Sequence, residues 1–499
     1  MLDTINLGQK LSKAEFSRLI TPLELKLGEL QRAVRERQIP VIVVFEGWGA
    51  AGKGTMINRL ILTLDPRGYM VHTVGDPNEE ERLRPFLWRF WQRLPQRGRM
   101  AIFDRSWYRR VLIERVDQQV RKSEWKNGYN EIKSFERELT DDGAVIIKLF
   151  LHISKKEQKK RFEHLERDHA TAWRVTRADW RQNRHYADYL EVIEEMFART
   201  DTDVAPWTVV ECHDRRFATV KVLQRVIDAL EARLAVSPPP SEKATPARGR
   251  RKVPAQRIGT SILDQTDLSL SLTRKQYEGA LKTCQHRIGE LQHLAYLHRI
   301  PVVVVYSGWD AAGKGGNIRR LVQGMDPRGY QVIPIAAPND IEKAYHYLWR
   351  FWTKMPKAGH VAIFDRSWYG RVMVERVEHF CREEEWRRAY QEINELEEQL
   401  VNFGAVLVKF WVHIDKQEQL RRFKARQADP HKSWKITAED WRNRKKWNVY
   451  KEAVDEMLQR TSTTYAPWTI VESNCKLYAR IKALKQVISA IEHRLPKDA

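Results

Sequence analysis

Cysteine is scarce in this chain: Cys212, Cys284, Cys381 and Cys475 are all there is in 499 residues. They are scattered and no two have metal-ligand spacing, which excludes a disulfide framework or a zinc ribbon and favours a reducing compartment. Long apolar runs are missing as well. The longest strongly apolar stretches are about five residues, against the ~20 needed to span a bilayer. Met1 to Lys13 has no signal-peptide pattern of basic, apolar and small-residue regions. These absences predict a soluble, cytoplasmic protein with no membrane partner. Acid is in deficit: 65 Asp and Glu face 87 Lys and Arg, a net charge of +22. Such an excess attracts polyanions, and nucleic acid, a nucleotide or an inorganic phosphate polymer would each satisfy it. No zinc-finger spacing or other nucleic-acid-binding signature is present, so nucleic acid is the least favoured of the three.

What the chain does have, it has twice. Gly47-Trp48-Gly49-Ala50-Ala51-Gly52-Lys53-Gly54-Thr55 recurs as Gly308-Trp309-Asp310-Ala311-Ala312-Gly313-Lys314-Gly315-Gly316, an offset of 261. The same offset carries Asp65–Tyr69 onto Asp326–Tyr330, Leu87–Trp91 onto Leu348–Trp352, Ala101–Tyr108 onto Ala362–Tyr369 and Ala205–Trp207 onto Ala466–Trp468. A period this long is a duplicated domain, because solenoid repeats run to 20–50 residues. The expected layout is a first domain over 1–236, a Pro-rich basic linker over 237–261 and a second domain over 262–499. Two halves of one design are compatible with packing on one another as a pseudo-dimer, or with a homo-oligomer.

The apolar runs set the fold. Val302 to Tyr306 is a β-branched run ending at the glycine loop, and Asn317 to Val322 behind the loop is amphipathic. Further runs end at Asp365 and Asp415, a fourth covers Trp468 to Val471, and Glu383 to Leu400 has helical period. Fully apolar strands alternating with helices predict a doubly wound parallel α/β sheet with a phosphate loop, once per half. Ligands bind such sheets at the carboxyl ends of the strands, where Asp310 and Asp365 fall.

The loop residues suit phosphoryl transfer. Glycines let backbone N–H groups approach phosphate oxygens, the helix N-terminus favours anions, and Lys314 adds a positive charge. The serine or threonine that usually follows the lysine is absent, since Gly315 and Gly316 stand there. A magnesium ion would therefore need other oxygen ligands, and Asp310 and Asp365 are the candidates. The competing structural readings are an Asx-turn or helix cap for Asp310 and an ion pair with Arg366 for Asp365. Arg366, Arg371 and Arg376 could offset charge on a transferred phosphoryl group. The basic stretch from Arg421 to Lys435 reads either as a lid over the phosphates or as a solvated helix–loop–helix.

Taken together, Gly-Trp-Asp-Ala-Ala-Gly-Lys-Gly-Gly, Asp-Pro-Arg-Gly-Tyr, Leu-Trp-Arg-Phe-Trp, Phe-Asp-Arg-Ser-Trp-Tyr-Gly-Arg and the Trp434-Lys435 segment resemble the polyphosphate kinase 2 family. The likeness spans both halves and leaves out only the linker. It implies a phosphate-loop kinase fold with a helical lid. It also implies magnesium-dependent transfer of the terminal phosphate of inorganic polyphosphate to a nucleotide. The tandem layout resembles the subgroup that phosphorylates AMP to ADP. Carried over residue by residue, the resemblance makes Asp310, Lys314, Asp365, Arg366 and the lid arginine Arg426 the catalytic set, with Asp310 and Asp365 as metal ligands. The substrate-contacting set is Gly308, Ala311, Ala312, Gly313, Gly315, Gly316, Arg328, Tyr369, Arg371, Glu375, Lys432 and Lys435.

The first half departs from this pattern. Asp310 corresponds to Gly49, Gly370 to Arg109, Arg426 to Leu165, Lys432 to Thr171 and Arg480 to Thr219. Loss of a metal carboxylate and two lid cations predicts a half that is catalytically weak or dead, since one such contact is often worth about 3 kcal/mol. The rival enzymatic readings are an ADP- or GDP-phosphorylating polyphosphate kinase and an ATP-dependent nucleoside monophosphate kinase. A nucleic-acid-binding protein with a vestigial loop is the rival outside enzymes.

Overall fold

A computed structural model describes residues 2–236 and 261–496. The linker expected at 237–261 lies, but for its last residue, outside the described residues. The chain divides into two compact units, the first built on 2–78, 86–236 and 339–349, the second on 79–85, 261–338 and 350–496. Two short segments, 79–85 and 339–349, thus go with the unit opposite to the one their chain position predicts.

Each unit holds one five-stranded, all-parallel sheet. In the first, β1 (Val41–Gly47), β2 (Tyr69–Thr73), β3 (Met100–Asp104), β4 (Val145–His152) and β5 (Trp207–Glu211) stand in the order β2-β3-β1-β4-β5. In the second, β6 (Val302–Gly308), β7 (Tyr330–Pro334), β8 (Val361–Asp365), β9 (Val406–His413) and β10 (Trp468–Glu472) repeat it as β7-β8-β6-β9-β10. The central strands are buried on both faces, as helices covering a parallel sheet require: Val302 to Val305 are fully shielded. Four of the five second-unit strands coincide with the apolar runs. The fifth, β7, was not expected, because Tyr-Gln-Val-Ile-Pro is short, half-exposed and closed by a proline that only an edge tolerates.

Parallel pairing puts every strand's carboxyl end on one side. The register runs Val302 opposite Val361 to Tyr306 opposite Asp365, so β8 ends in Asp365 beside the last turn of β6 before its loop. The chain then enters the helix Lys314–Val322. Within the second core, Lys409 Nζ on β9 donates to Glu397 Oε2 (2.7 Å), Tyr369 Oη (3.0 Å) and the Thr461 carbonyl (2.7 Å). The first unit builds the same group from Lys148, Glu136, Tyr108 and Thr200. Among the described residues no helix is long and apolar enough to cross a membrane.

Two buried histidines give the fold a pH dependence. His152 Nδ1 accepts from Trp48 Nε1 (2.9 Å) and His413 Nδ1 from Trp309 Nε1 (3.0 Å), so each ring is held neutral. Burial pushes both down to about 4. The unfolded chain, with histidine near 6.5, binds more protons between those values. The stabilisation is therefore complete above pH 6.5 and is lost as pH falls towards 4. At pH 5 the expected loss is about 2 kcal/mol per histidine. Urea unfolding at pH 7 and pH 5 should show a larger fall in midpoint for the native chain than for the His152→Gln, His413→Gln double variant. Equal falls would remove these histidines from the account.

Candidate active site

The second unit's loop is fixed from below by its own strands and from the side by its lid. Gly308 turns the chain at φ 147°, and a Cβ there would lie 2.4 Å from the Val412 carbonyl oxygen, so only glycine fits. Ala311 (φ 62°) and Arg366 (φ 67°) hold left-handed backbone without being glycine, a strain that surrounding contacts must maintain. Those contacts are visible. Arg422, buried in the helix Lys416–Gln427, donates to the carbonyls of Ala311 (3.0 Å) and Ala312 (2.7 Å) and to that of Ser473. Ser473 Oγ adds a bond to the Ala312 carbonyl (2.6 Å). With its carbonyls bound away, the loop leads into a helix whose N-cap, Gly313, makes no side-chain cap bond. An uncapped helix start presents free N–H groups and a positive dipole end to an anion.

The charged groups converge on this spot. Lys314 Nζ folds back onto the carbonyls of Gly308 (2.8 Å) and Trp309 (3.2 Å). Burial is the largest influence on its ammonium and pushes its pKa down; Asp310, Arg366, Asp365 and Arg426 are the charges that act on it next. Arg366 Nη2 lies 3.5 Å from Asp310 Oδ1. Arg426, in the last turn of the lid's first helix, is lowered by its own burial and feels Asp440 and Asp310. The five residues named as the catalytic set are thus one electrostatic group. The remainder of the lid is a short turn, Ser433–Lys435, and the helix Ala438–Lys445.

Not every residue named from the sequence joins them. Arg328 precedes β7, at the amino end of the sheet, and pairs with Asp326 (2.6 Å). The loop stands at the carboxyl end, so the assignment of Arg328 to substrate is corrected: it closes a turn. Tyr369 is fully buried with its hydroxyl on Glu397 (2.5 Å), and is likewise a core residue rather than a substrate contact. Lys432 and Lys435 stay exposed on the lid, the first paired with Asp429, the second over the Trp434 ring. Arg371 and Glu375 pair with each other (3.2 Å) in a single π-turn after Gly370, and burial pushes the Glu375 carboxyl up. Trp309 stacks on Trp447 (3.9 Å between centroids), so it anchors the loop.

Three residues that sequence reasoning left out of the site belong to its surround. Arg422 clamps the loop, Asn443 donates to Asp310 Oδ2 (3.0 Å), and an Arg480 nitrogen would stand 3.6 Å from a Cβ on Gly316. The last of these puts a guanidinium beside Gly316, while a Cβ at Gly315, directly after Lys314, would meet nothing within 4 Å.

The first unit keeps the scaffold together with Lys53, Asp104 and Arg105, but changes other charges of the loop and lid. Lys53 bonds the Gly47 and Trp48 carbonyls (3.0 Å each) and Arg161 clamps the Ala50 and Ala51 carbonyls. Gly49 brings no carboxylate. Instead its N–H donates to Gln182 Oε1 (2.9 Å), and Asp179 from the lid stands 2.9 Å from where a Cβ would be. A second acid lies below: Glu46 Oε1 accepts from the Ser106 N–H and hydroxyl (2.8 Å each), where the second unit has Ser307 and Ser367. Burial pushes the Lys53 ammonium down to about 8, with Arg105 acting in the same direction. Arg109 is tied up by Asp76 and Glu114.

As to metal, the described residues contain no cluster of three or more His, Cys, Asp or Glu able to hold an ion. Asp310 and Asp365 offer two carboxylates, and each oxygen of Asp310 keeps a lone pair beyond its present partner. That donor set fits magnesium, which takes one or two carboxylates and fills its shell with water and substrate phosphate.

A parallel sheet with a glycine loop at its carboxyl edge, a part-buried loop lysine and a basic helical lid defines a phosphate-loop kinase-like fold. The sequence profile of the polyphosphate kinase 2 family matches residues 10–237 and 271–499, and the chain belongs to that family. It is 41% identical to a polyphosphate:AMP phosphotransferase of Pseudomonas aeruginosa, with 100% of both chains covered. A second such enzyme, from Pseudomonas syringae pv. tomato, is 40% identical over 100% of this chain and 99% of its own. A crystal structure assigned to polyphosphate kinase 2 from Pseudomonas aeruginosa superimposes with a TM-score of 0.87 at 39% identity, covering 99% of each chain.

Restoring the missing carboxylate alone is expected to fail. A side chain at Gly49 would meet Asp179 Oδ1 at 2.9 Å, Phe162 at 3.1 Å and Gln182 at 3.2 Å. Asp179 cannot easily yield, because its other oxygen accepts the Thr176 N–H and hydroxyl. Gly49→Asp should destabilise the protein by about 1–3 kcal/mol, and Asp179→Asn should recover part of that loss. Thermal unfolding of both variants measures this; an unchanged Gly49→Asp would contradict the packing described.

Proposed function

We infer that this protein transfers the terminal phosphate of inorganic polyphosphate to AMP, giving ADP and a polymer shorter by one unit, and that the second unit performs the reaction. One observation carries the reading: a part-buried lysine in an uncapped phosphate loop, with Asp310, Asp365, Arg366 and Arg426 around it, a set of charges that the first unit's loop lacks. The AMP acceptor rests on the relatives that match the whole chain.

Phosphoryl transfer needs positioning and charge compensation more than covalent help. The loop N–H groups and Lys314 would hold oxygens of the donor's terminal phosphates. Asp310 and Asp365 would hold a magnesium ion, which when bound supplies charge neutralisation on the phosphates. Arg366, 54% exposed beside Asp310, is free to turn to the transferred group, and Arg426 reaches it from the lid. An AMP phosphate oxygen then attacks the terminal phosphorus and the P–O bond to the bridging oxygen breaks. The positive surface, net +22 over the chain, supplies a track for the polymer. A cytoplasmic location is the reading that four free cysteines favour.

The test is ADP formation from AMP and magnesium with polyphosphate or ATP as donor, using the native chain and Asp365→Asn. Polyphosphate should support the reaction, ATP should not replace it, and Asp365→Asn should cut kcat/KM by about 100-fold or more. Equal rates with ATP would assign the protein to the nucleotide kinases; ADP or GDP accepted in preference to AMP would move the acceptor.

A further inference from the structure

The loop carboxylate of the second unit is held by its lid through one side chain. Asn443, in the helix Ala438–Lys445, donates from Nδ2 to Asp310 Oδ2 (3.0 Å). The amide can face only this way, since a carboxylate accepts and the flipped group would set oxygen against oxygen. Behind it, Tyr450 Oη lies 3.4 Å from Asn443 Oδ1 and donates to Glu378 Oε1 (3.0 Å), which is itself fixed by Lys446. The other carboxylate oxygen of Asp310 faces Arg366. Gln419 Nε2 bonds the Asp310 carbonyl (3.2 Å). The carboxylate plane is therefore set by two partners, one of them on the lid.

The first unit provides the control. Its lid carries Gln182 at the position of Asn443, and there the amide is inverted: Gln182 Oε1 accepts the Gly49 N–H (2.9 Å). Gln158 bonds the Gly49 carbonyl as Gln419 bonds that of Asp310, and it donates to Gln182 Oε1 as well (3.1 Å). Where the carboxylate is absent, the lid amide changes identity and polarity together.

We propose that Asn443 is a positioning residue that aligns Asp310 for its divalent cation, so that the carboxylate is correctly turned only while the lid helix lies against the loop. This rests on the reading of Asp310 as a metal-holding residue. A merely structural latch would shift substrate affinities alike and leave cation binding alone. The experiment uses the full chain with AMP and Mn2+ as the probe, following free Mn2+ by its paramagnetic resonance signal. It compares the native protein, Asn443→Ala, Asn443→Ser, Gln182→Ala and Asp310→Asn. Both Asn443 variants should weaken Mn2+ binding by about 10-fold or more and raise the magnesium concentration for half-maximal rate by a similar factor, with KM for AMP unchanged. Gln182→Ala should bind as the native chain does, and Asp310→Asn should not bind. Native-like Mn2+ binding in the Asn443 variants, with binding lost in Asp310→Asn, would overturn the positioning role. Native-like binding in Asp310→Asn would overturn the metal reading beneath it.

Discussion

A part-buried lysine ammonium folded back under a phosphate loop is the constraint around which the second unit is arranged. Lys314 is part-buried and held on two carbonyls. Removing a charge from water is costly unless neighbours answer it. Two aspartates do so, while Arg366 and Arg426 bring further positive charge to the same place. Such a concentration of cations beside an uncapped helix start suits an anion such as phosphate. The left-handed backbone at Ala311 and Arg366, the Arg422 clamp and the Trp309–Trp447 stack are what it takes to keep that arrangement fixed beforehand.

In the first unit the same scaffold answers its lysine differently. Lys53 keeps its carbonyl partners and Asp104, but Glu46 supplies acid where the second unit has Ser307, Gly49 replaces the loop aspartate, and Leu165 replaces the lid arginine. The core group of Lys148, Glu136 and Tyr108 is retained nearly to the ångström. Packing and sheet order have thus survived in a domain whose loop charges have been rewritten. Fold and site obey separate constraints: one depends on burial and register, the other on a handful of side chains at a strand edge.

How far the sequence could be read follows from the same separation. The central strands announced themselves as apolar β-branched runs because both of their faces are buried. Strand β7 did not, since Tyr-Gln-Val-Ile-Pro is half-exposed and carries a glutamine and a proline, whereas the other edge strand, β10, still shows an apolar run. The loop and Asp365 were legible because they adjoin such runs. Arg328 was misplaced because a motif gives neighbours in the chain, and only the parallel register shows that Arg328 lies a strand's length from the loop. Tyr369 was misplaced because a tyrosine close in the chain to Arg366 can turn into the core. Asn443 comes from a distant helix, which no local spacing reports, and Arg480, though it stood out against Thr219, gave no local sign that it faces Gly316. The offset of 261 did hold a clue: position 316 changes from glycine to threonine together with 480, and position 310 from aspartate to glycine together with 443.

The claim that one chain carries a working loop and a disarmed copy is tested most directly by a matched pair, Lys53→Met and Lys314→Met, each made in the full chain. The measurement is the rate of ADP formation from AMP and polyphosphate at saturating magnesium. The account predicts a near-native rate for Lys53→Met and a loss of about 100-fold or more for Lys314→Met. Comparable losses in both would show that the two loops work together, and would contradict it.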